Sequence, residues 1–300
     1  MNRNHVIVAG MPRSATTYLY HMLQRHPQIF TPYIKEINYF VAKYDRGIDW
    51  YVKLFKDAAP YQITFDVSPA TFLDPEADQR IMQHFPQAKI LVMVRDPLEW
   101  CLSFYSQFKS FDSSTPSFEE FVRGHTYTHG SGMITVRFEN DFVPTRIRQM
   151  MSRFGDRLLL MSYRITRNNP VQALQIIEQF CGLQPYFSAE NVLDIRINAS
   201  GRRNVRIVSY LLSRDWLVHA IGRLGLGPLA QAARQVFDRY NARRVRTAEE
   251  LYAPDEIALN NAKFAQQQAW VDNLFRETPV LAGGKPFLPV AVTGEQRLSQ

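Results

Sequence analysis

Two kinds of apolar pattern alternate along the first two thirds of the chain. Short runs recur at residues 6–9 (VIVA), 63–65 (ITF), 90–94 (ILVMV) and 158–161 (LLLM), separated by segments whose apolar residues return at helical spacing. A strand open to water on one face alternates apolar with polar positions, whereas an unbroken run such as ILVMV suits a strand covered on both faces. The alternation predicts an α/β fold of three layers with a mostly parallel central sheet. From residue 205 the pattern is almost wholly helical, so a helical C-terminal portion is expected over 205–280. The Gly- and Pro-containing stretch 281–300 reads as a loose tail. No repeat, linker or low-complexity tract divides the chain, so residues 1–280 are expected to form a single domain.

Composition narrows the classes without naming one. At 300 residues with 46% hydrophobic, 13% aromatic and 21% charged positions, the chain can bury a core and is neither disordered nor coiled coil. No apolar run reaches the roughly 18 residues of a membrane span; the nearest, 207–226, is broken by Arg214, Asp215 and Arg223. The first apolar run is too short for a signal-peptide core and reads as a strand, so a cytoplasmic protein is expected. The net charge is +7, and residues 201–250 alone hold ten Arg against four acids. Charge so confined suits a local anion site or a solvated helical face, not a surface coated for nucleic acid. Beside Tyr210, Leu211, Leu212, Trp216 and Leu217, these arginines would also suit peripheral contact with an anionic membrane. Cys101 and Cys181 stand alone in apolar contexts and read as core residues. His125 and His129 have the i, i+4 spacing of zinc ligands on a helix, but they lack the Glu of HExxH and a third ligand, so no metal site is expected.

The most informative segment is VIVAGMPRSATTYLYHMLQRHP, residues 6–27. A strand ends at Gly10, a turn of small residues follows, and a helix starts near Thr16 and cannot pass Pro27. Such a turn aims backbone N–H groups and a helix N-terminus at one point, which suits a phosphate, with Thr16 and Thr17 adding hydroxyl donors and Arg13 a cation; an ordinary strand-to-helix turn capped by Thr is the structural alternative. Gly10 and Thr17 match the Walker A spacing. Ala15 replaces its second glycine and Thr16 its lysine, which weakens a kinase or NTPase reading. A second signature is ILVMVRDPLEWCLSFY. There a strand stops at Arg95, Pro97 opens a helix, and Ser103 lies eight residues beyond the arginine. Arg95 at a strand end, with its planar fork, suits a phosphate; an ion pair with a neighbouring carboxylate is the structural alternative.

With both loops present, the chain resembles the sulfotransferases that use 3′-phosphoadenosine 5′-phosphosulfate (PAPS), especially bacterial members related to Golgi glycan and tyrosylprotein sulfotransferases. The resemblance extends through KEINYF (35–40), DVSPATF (66–72), the strand at 158–161 and NASGRRN (198–204). It implies a P-loop-like fold and PAPS as co-substrate without a metal. It also implies a hydroxyl acceptor, expected to be carbohydrate in a glycan, glycolipid or secondary metabolite. By resemblance, residues 13–17 hold the 5′-phosphosulfate, and Arg95 and Ser103 hold the 3′-phosphate. Tyr163 neighbours the adenine, and Gly201 with Arg202 closes over the 3′-phosphate. Glu36 is then the general base, its pKa expected to be raised by burial against the opposing effect of the nearby cations Lys35 and Arg13, and Arg13 neutralises charge that develops on the bridging oxygen.

Several positions depart from the family. Val67 stands where heparan-type members often carry a second lysine, and Arg164 where a Glu is usual. Tyr18 replaces a tryptophan and fits either adenine stacking or core packing. Asp66 fits either an orienting role or a strand end. Two rivals remain at this level: a small-molecule kinase with Asp66 as its metal-binding acid, and a non-catalytic module that binds anions or a membrane surface.

Overall fold

The structure is a computed structural model that describes residues 4–111, 116–123, 125–129, 132–136, 141–192, 254–275, 280–281 and 285–286. The central sheet carries strands β2 (Ile29–Phe30), β3 (Ile63–Val67), β1 (His5–Gly10), β4 (Lys89–Val94) and β7 (Leu158–Ser162) in that order, all parallel. Two short antiparallel strands, β8 (Val280–Leu281) and β9 (Lys285–Pro286), extend the β7 edge. They take into the sheet part of the stretch expected to be a tail. The four strands read from the sequence are all present, each longer by one or two residues. β2 escaped because it has only two residues.

Alternate strand positions feed two apolar layers. Val6, Val8, Leu91, Met93, Leu159 and Met161 pack beneath α1 (Thr16–Leu23) and α9 (Pro170–Cys181). Ile7, Ala9, Ile90, Val92, Val94, Leu158 and Leu160 pack on the other side. That second layer is covered by α3 (Ile48–Lys53), α4 (Pro75–His84), α5 (Pro97–Phe111), α7 (Phe142–Phe154) and the C-terminal helix α10 (Pro254–Leu274). A short helix α2 (Tyr39–Ala42) precedes α3. Helix α6 (Phe118–Arg123) follows α5, and α8 (Tyr163–Asn168) follows β7. Strands β5 (His125–His129) and β6 (Gly132–Val136) form a separate antiparallel hairpin. Cys101 and Cys181 are buried free thiols, whose burial pushes both pKa values up. Among the described residues no helix is long and apolar enough to cross a membrane.

Local contacts place the strand ends. The β1–β4 register shifts between Val8 and Gly10, an irregularity of the kind that re-aims a chain where pairing ends. Gly10 also meets the 3-10 turn Pro69–Leu73, where an added Cβ would lie 2.5 Å from the Phe72 Cβ. That turn is anchored from below by Arg146 of α7. Its guanidinium forms a two-pronged bridge to Asp78 at 2.6 and 2.7 Å and donates to the Phe72 and Thr71 carbonyls at 2.8 and 3.3 Å. Both charged side chains are almost wholly buried. Replacing one member leaves an uncompensated charge, whereas an apolar pair of similar volume does not. Arg146→Met is therefore expected to lower unfolding free energy by about 3–5 kcal/mol in urea titrations. The double change Arg146→Met/Asp78→Leu should restore most of that loss. Equal losses in the two variants would contradict this role.

Candidate functional site

The turn after β1 is the best-defined part of the site. Met11 N–H donates to the Met93 carbonyl at 3.0 Å, and Ser14 N–H to the Met11 carbonyl at 3.2 Å. Arg13 and Ala15 both have φ in the left-handed region, 66° and 58°. Left- and right-handed residues in succession curl a backbone into a concavity of N–H groups, the geometry of an anion nest. Helix α1 begins there at Thr16 with no side-chain cap on its N-terminus. Thr16 and Thr17 are buried in its first turn. The Ser14 hydroxyl is fully buried and has no hydrogen-bond partner among the described residues. Such an orphan is costly in a core and is satisfied if the concavity receives an anion's oxygens. These residues therefore fit a phosphate or sulfate group.

The second signature meets the first through Arg13. Arg95, at the end of β4, donates from Nη1 to the Arg13 carbonyl at 2.8 Å, and Trp100 Nε1 donates to the Pro12 carbonyl at 2.8 Å. Arg13 Nε in turn donates to Ser103 Oγ at 3.3 Å. The Arg95 guanidinium lies 4.8 Å over the Tyr163 ring, which opens α8 at the end of β7. It also reaches Glu99 at 3.4 Å. Glu99 is half exposed, so this pair contributes little and yields readily to a stronger anion. Arg13, Arg95, Ser103 and Tyr163 thus converge at the carboxyl ends of β1, β4 and β7, where open α/β sheets bind ligands. Arg164 faces outward and pairs with Asp96 at 3.7 Å and Asp272 of α10 at 3.5 Å. Tyr18 belongs to the apolar layer under α1, which decides in favour of core packing.

Lys35 and Glu36 form a third cluster beside the end of β3. Lys35 Nζ donates to Glu36 Oε1, but the burial differs from expectation. The Lys35 side chain is 3% exposed and that of Glu36 37%, so the cation is buried and the carboxylate open. Glu36 has φ 63°, and its N–H donates to the Val67 carbonyl at 3.0 Å.

Behind this cluster is a polar chain that the sequence did not show. Asp66 is fully buried and accepts from Ser68 Oγ at 2.6 Å and Tyr51 Oη at 3.0 Å. Tyr51 Oη lies 2.7 Å from His5 Nε2, and His5 Nδ1 lies 2.8 Å from Thr64 Oγ1. Because Tyr51 gives its proton to Asp66, His5 donates from Nε2 and accepts from Thr64 at Nδ1. Burial raises the Asp66 pKa to about 6, against the lowering effect of the Ser68 and Tyr51 bonds, and lowers that of His5 to about 3. A polar position on alternate residues of β3, facing a polar first residue of β1, was the only sequence signal.

Other expectations fare differently. His125 and His129 lie at the two ends of strand β5, not on a helix, so at roughly 3.4 Å per residue their backbones are too far apart for one zinc ion. Gly201, Arg202 and the aromatic-arginine stretch 205–250 lie outside the described residues. Among the described residues no group of His, Cys, Asp and Glu is placed to hold a metal.

Comparison with known proteins gives one family. The family model described as "Sulfotransferase domain" matches residues 3–201. Mouse heparan sulfate glucosamine 3-O-sulfotransferase 6 is 32% identical over 128 residues, 43% of this chain and 36% of its own. Human heparan sulfate glucosamine 3-O-sulfotransferase 5 is 28% identical over 200 residues, 62% of this chain and 55% of its own. The chain thus spans about half or less of the curated relatives it matches. Among solved structures, a sulfotransferase from Alicyclobacillus acidocaldarius is 19% identical with a TM-score of 0.52. That match covers 65% of this chain and 87% of the other, a likeness of fold.

The buried chain carries two opposed titrations. Below its ordinary 6.5, His5 takes up a proton only when unfolded, so stability is lost as pH falls toward 3. Asp66 takes up its proton first in the native state, so stability is gained as pH falls from about 6 to its ordinary 3.8. The two effects oppose each other in that window. Asp66→Asn removes the compensation and is expected to lose about 3 kcal/mol more than the parent between pH 6 and 4 in urea unfolding. Parallel pH profiles would contradict the assignment.

Proposed function

This chain belongs to the sulfotransferase domain family, and from that premise we propose that it transfers the sulfuryl group of PAPS to a hydroxyl of a carbohydrate-containing acceptor. The observation that carries the reading is the joining of two anion-binding loops through Arg13, with Lys35 and Glu36 beside them. The names of the heparan sulfate relatives support a sugar hydroxyl over other acceptors; a glycolipid or a glycosylated secondary metabolite offers the same group.

Each step then has a residue. The N–H groups of residues 13–17, the Ser14 hydroxyl and the threonines of α1 hold the 5′-phosphosulfate. Arg95 exchanges Glu99 for the 3′-phosphate, with Ser103 beside it, Tyr163 against the adenine, and Gly201 and Arg202 closing from outside the described region. The acceptor oxygen attacks sulfur in line as the bond from sulfur to the phosphate oxygen breaks. Glu36 accepts the hydroxyl proton, Lys35 holds Glu36 in place, and Arg13 offsets charge growing on the departing phosphate. Adenosine 3′,5′-bisphosphate leaves. The exposed Glu36 carboxylate suits this role, since an acceptor must reach it from solvent. The reading assigns no step to a metal.

Adenosine 3′,5′-bisphosphate at 100 times its Kd is expected to stabilise the protein by about 2.7 kcal/mol, well above ATP with magnesium. ATP being the better stabiliser would favour a kinase. Arg95→Ala should raise the Kd for the bisphosphate at least tenfold, by about 1.4 kcal/mol. Glu36→Gln should abolish transfer to heparan sulfate oligosaccharides while leaving that Kd within twofold.

A further inference from the structure

The residues that hold Glu36 in place form a path leading back to Asp66. Glu36 and Asn38 both sit in the left-handed region, at φ 63° and 53°, although neither is glycine. Asparagine visits that region more readily than most residues, but glutamate keeps it only where its surroundings over-determine it. Two bonds do so here. Glu36 N–H donates to the Val67 carbonyl, and Asn38 N–H donates to Ser68 Oγ, each at 3.0 Å. The second depends on which way the Ser68 hydroxyl points. Its proton is given to Asp66 Oδ1 at 2.6 Å, which turns its lone pairs toward Asn38. Asp66 is in turn held by Tyr51 and, through it, His5.

A carboxylate at 0% exposure with no cation partner among the described residues is a poor choice for stability alone. Asp66 is opposite Ile7 in the β1–β3 register, one residue before the end of β3, and is buried inside the layer. Its carboxylate is spent on Ser68 and Tyr51 and is closed to solvent. We propose that Asp66 is a positioning residue, which orients the Ser68 hydroxyl and so fixes the left-handed turn that presents Glu36. The inference rests on Glu36 being the proton acceptor.

The test uses Asp66→Asn, Ser68→Ala and Ser68→Thr in the full chain. It reads kcat and KM with PAPS and heparan sulfate oligosaccharides, the Kd for adenosine 3′,5′-bisphosphate, and hydrogen exchange at the Asn38 amide. Asp66→Asn and Ser68→Ala are expected to lower kcat at least tenfold with acceptor KM and bisphosphate Kd within twofold. Asn38 exchange should quicken at least tenfold while β4 amides stay protected. Ser68→Thr, which keeps the hydroxyl, should restore most of kcat. If Asp66→Asn does not fold, Ser68→Ala carries the test. A kcat within twofold of the parent in the folded variants, or a loss that follows weakened bisphosphate binding, overturns the proposal alone. Undiminished transfer by Glu36→Gln overturns the reading of Glu36 itself, and the proposal with it.

Discussion

The parallel pairing of β1 with β4 is the constraint on which the cleft depends. With Gly10 opposite Val92, both strands end side by side, and their turns must pass within bonding distance. Arg95 then reaches the Arg13 carbonyl, and the Arg13 side chain reaches Ser103. Two sequence signatures more than 80 residues apart become one surface. The buried Phe72 ring that excludes a side chain at Gly10, and the Arg146 bridge that holds the Phe72 turn, act on this same point from the third strand.

The apolar layers and the polar exceptions within them divide the work. Unbroken runs in β1, β4 and β7 supply burial on both faces, the main source of stability. β3 differs: Phe65 and Val67 serve one layer, while Thr64 and Asp66 bring polar groups into the other. Such an exception requires hydrogen bonds, and the chain Thr64–His5–Tyr51–Asp66–Ser68, ending on the Asn38 backbone N–H, supplies them to Thr64 and Asp66. The site thus joins a concavity of backbone N–H groups on one side to a Lys35–Glu36 pair on the other.

Much of this was legible because it depends on local chemistry. A strand buried on both faces betrays itself as ILVMV, and a small-residue turn before a helix betrays a curled backbone at the strand end. Arg95 before Pro97 marks a strand end. What escaped depends on long-range placement. Nothing local joins His5 to Tyr51, or either to Asp66, because their meeting follows from β1–β3 register and the packing of α3. Likewise, the dipeptide Lys35-Glu36 cannot say which member faces solvent. The turn decides that, by burying the lysine and leaving the carboxylate open. His125 and His129 show the converse: an i, i+4 spacing has meaning only once helix or strand is known, and here it is strand.

A crystal structure of the chain with adenosine 3′,5′-bisphosphate bears most directly on the claim that the two loops grip a single nucleotide. The expected map has the 5′-phosphate within hydrogen-bond distance of the Ser14 hydroxyl and the α1 N-terminus. It has the 3′-phosphate on Arg95 and Ser103, with Glu99 displaced. A nucleotide that engages one loop alone, or an Arg95 that keeps Glu99 while the ligand lies elsewhere, would contradict the claim.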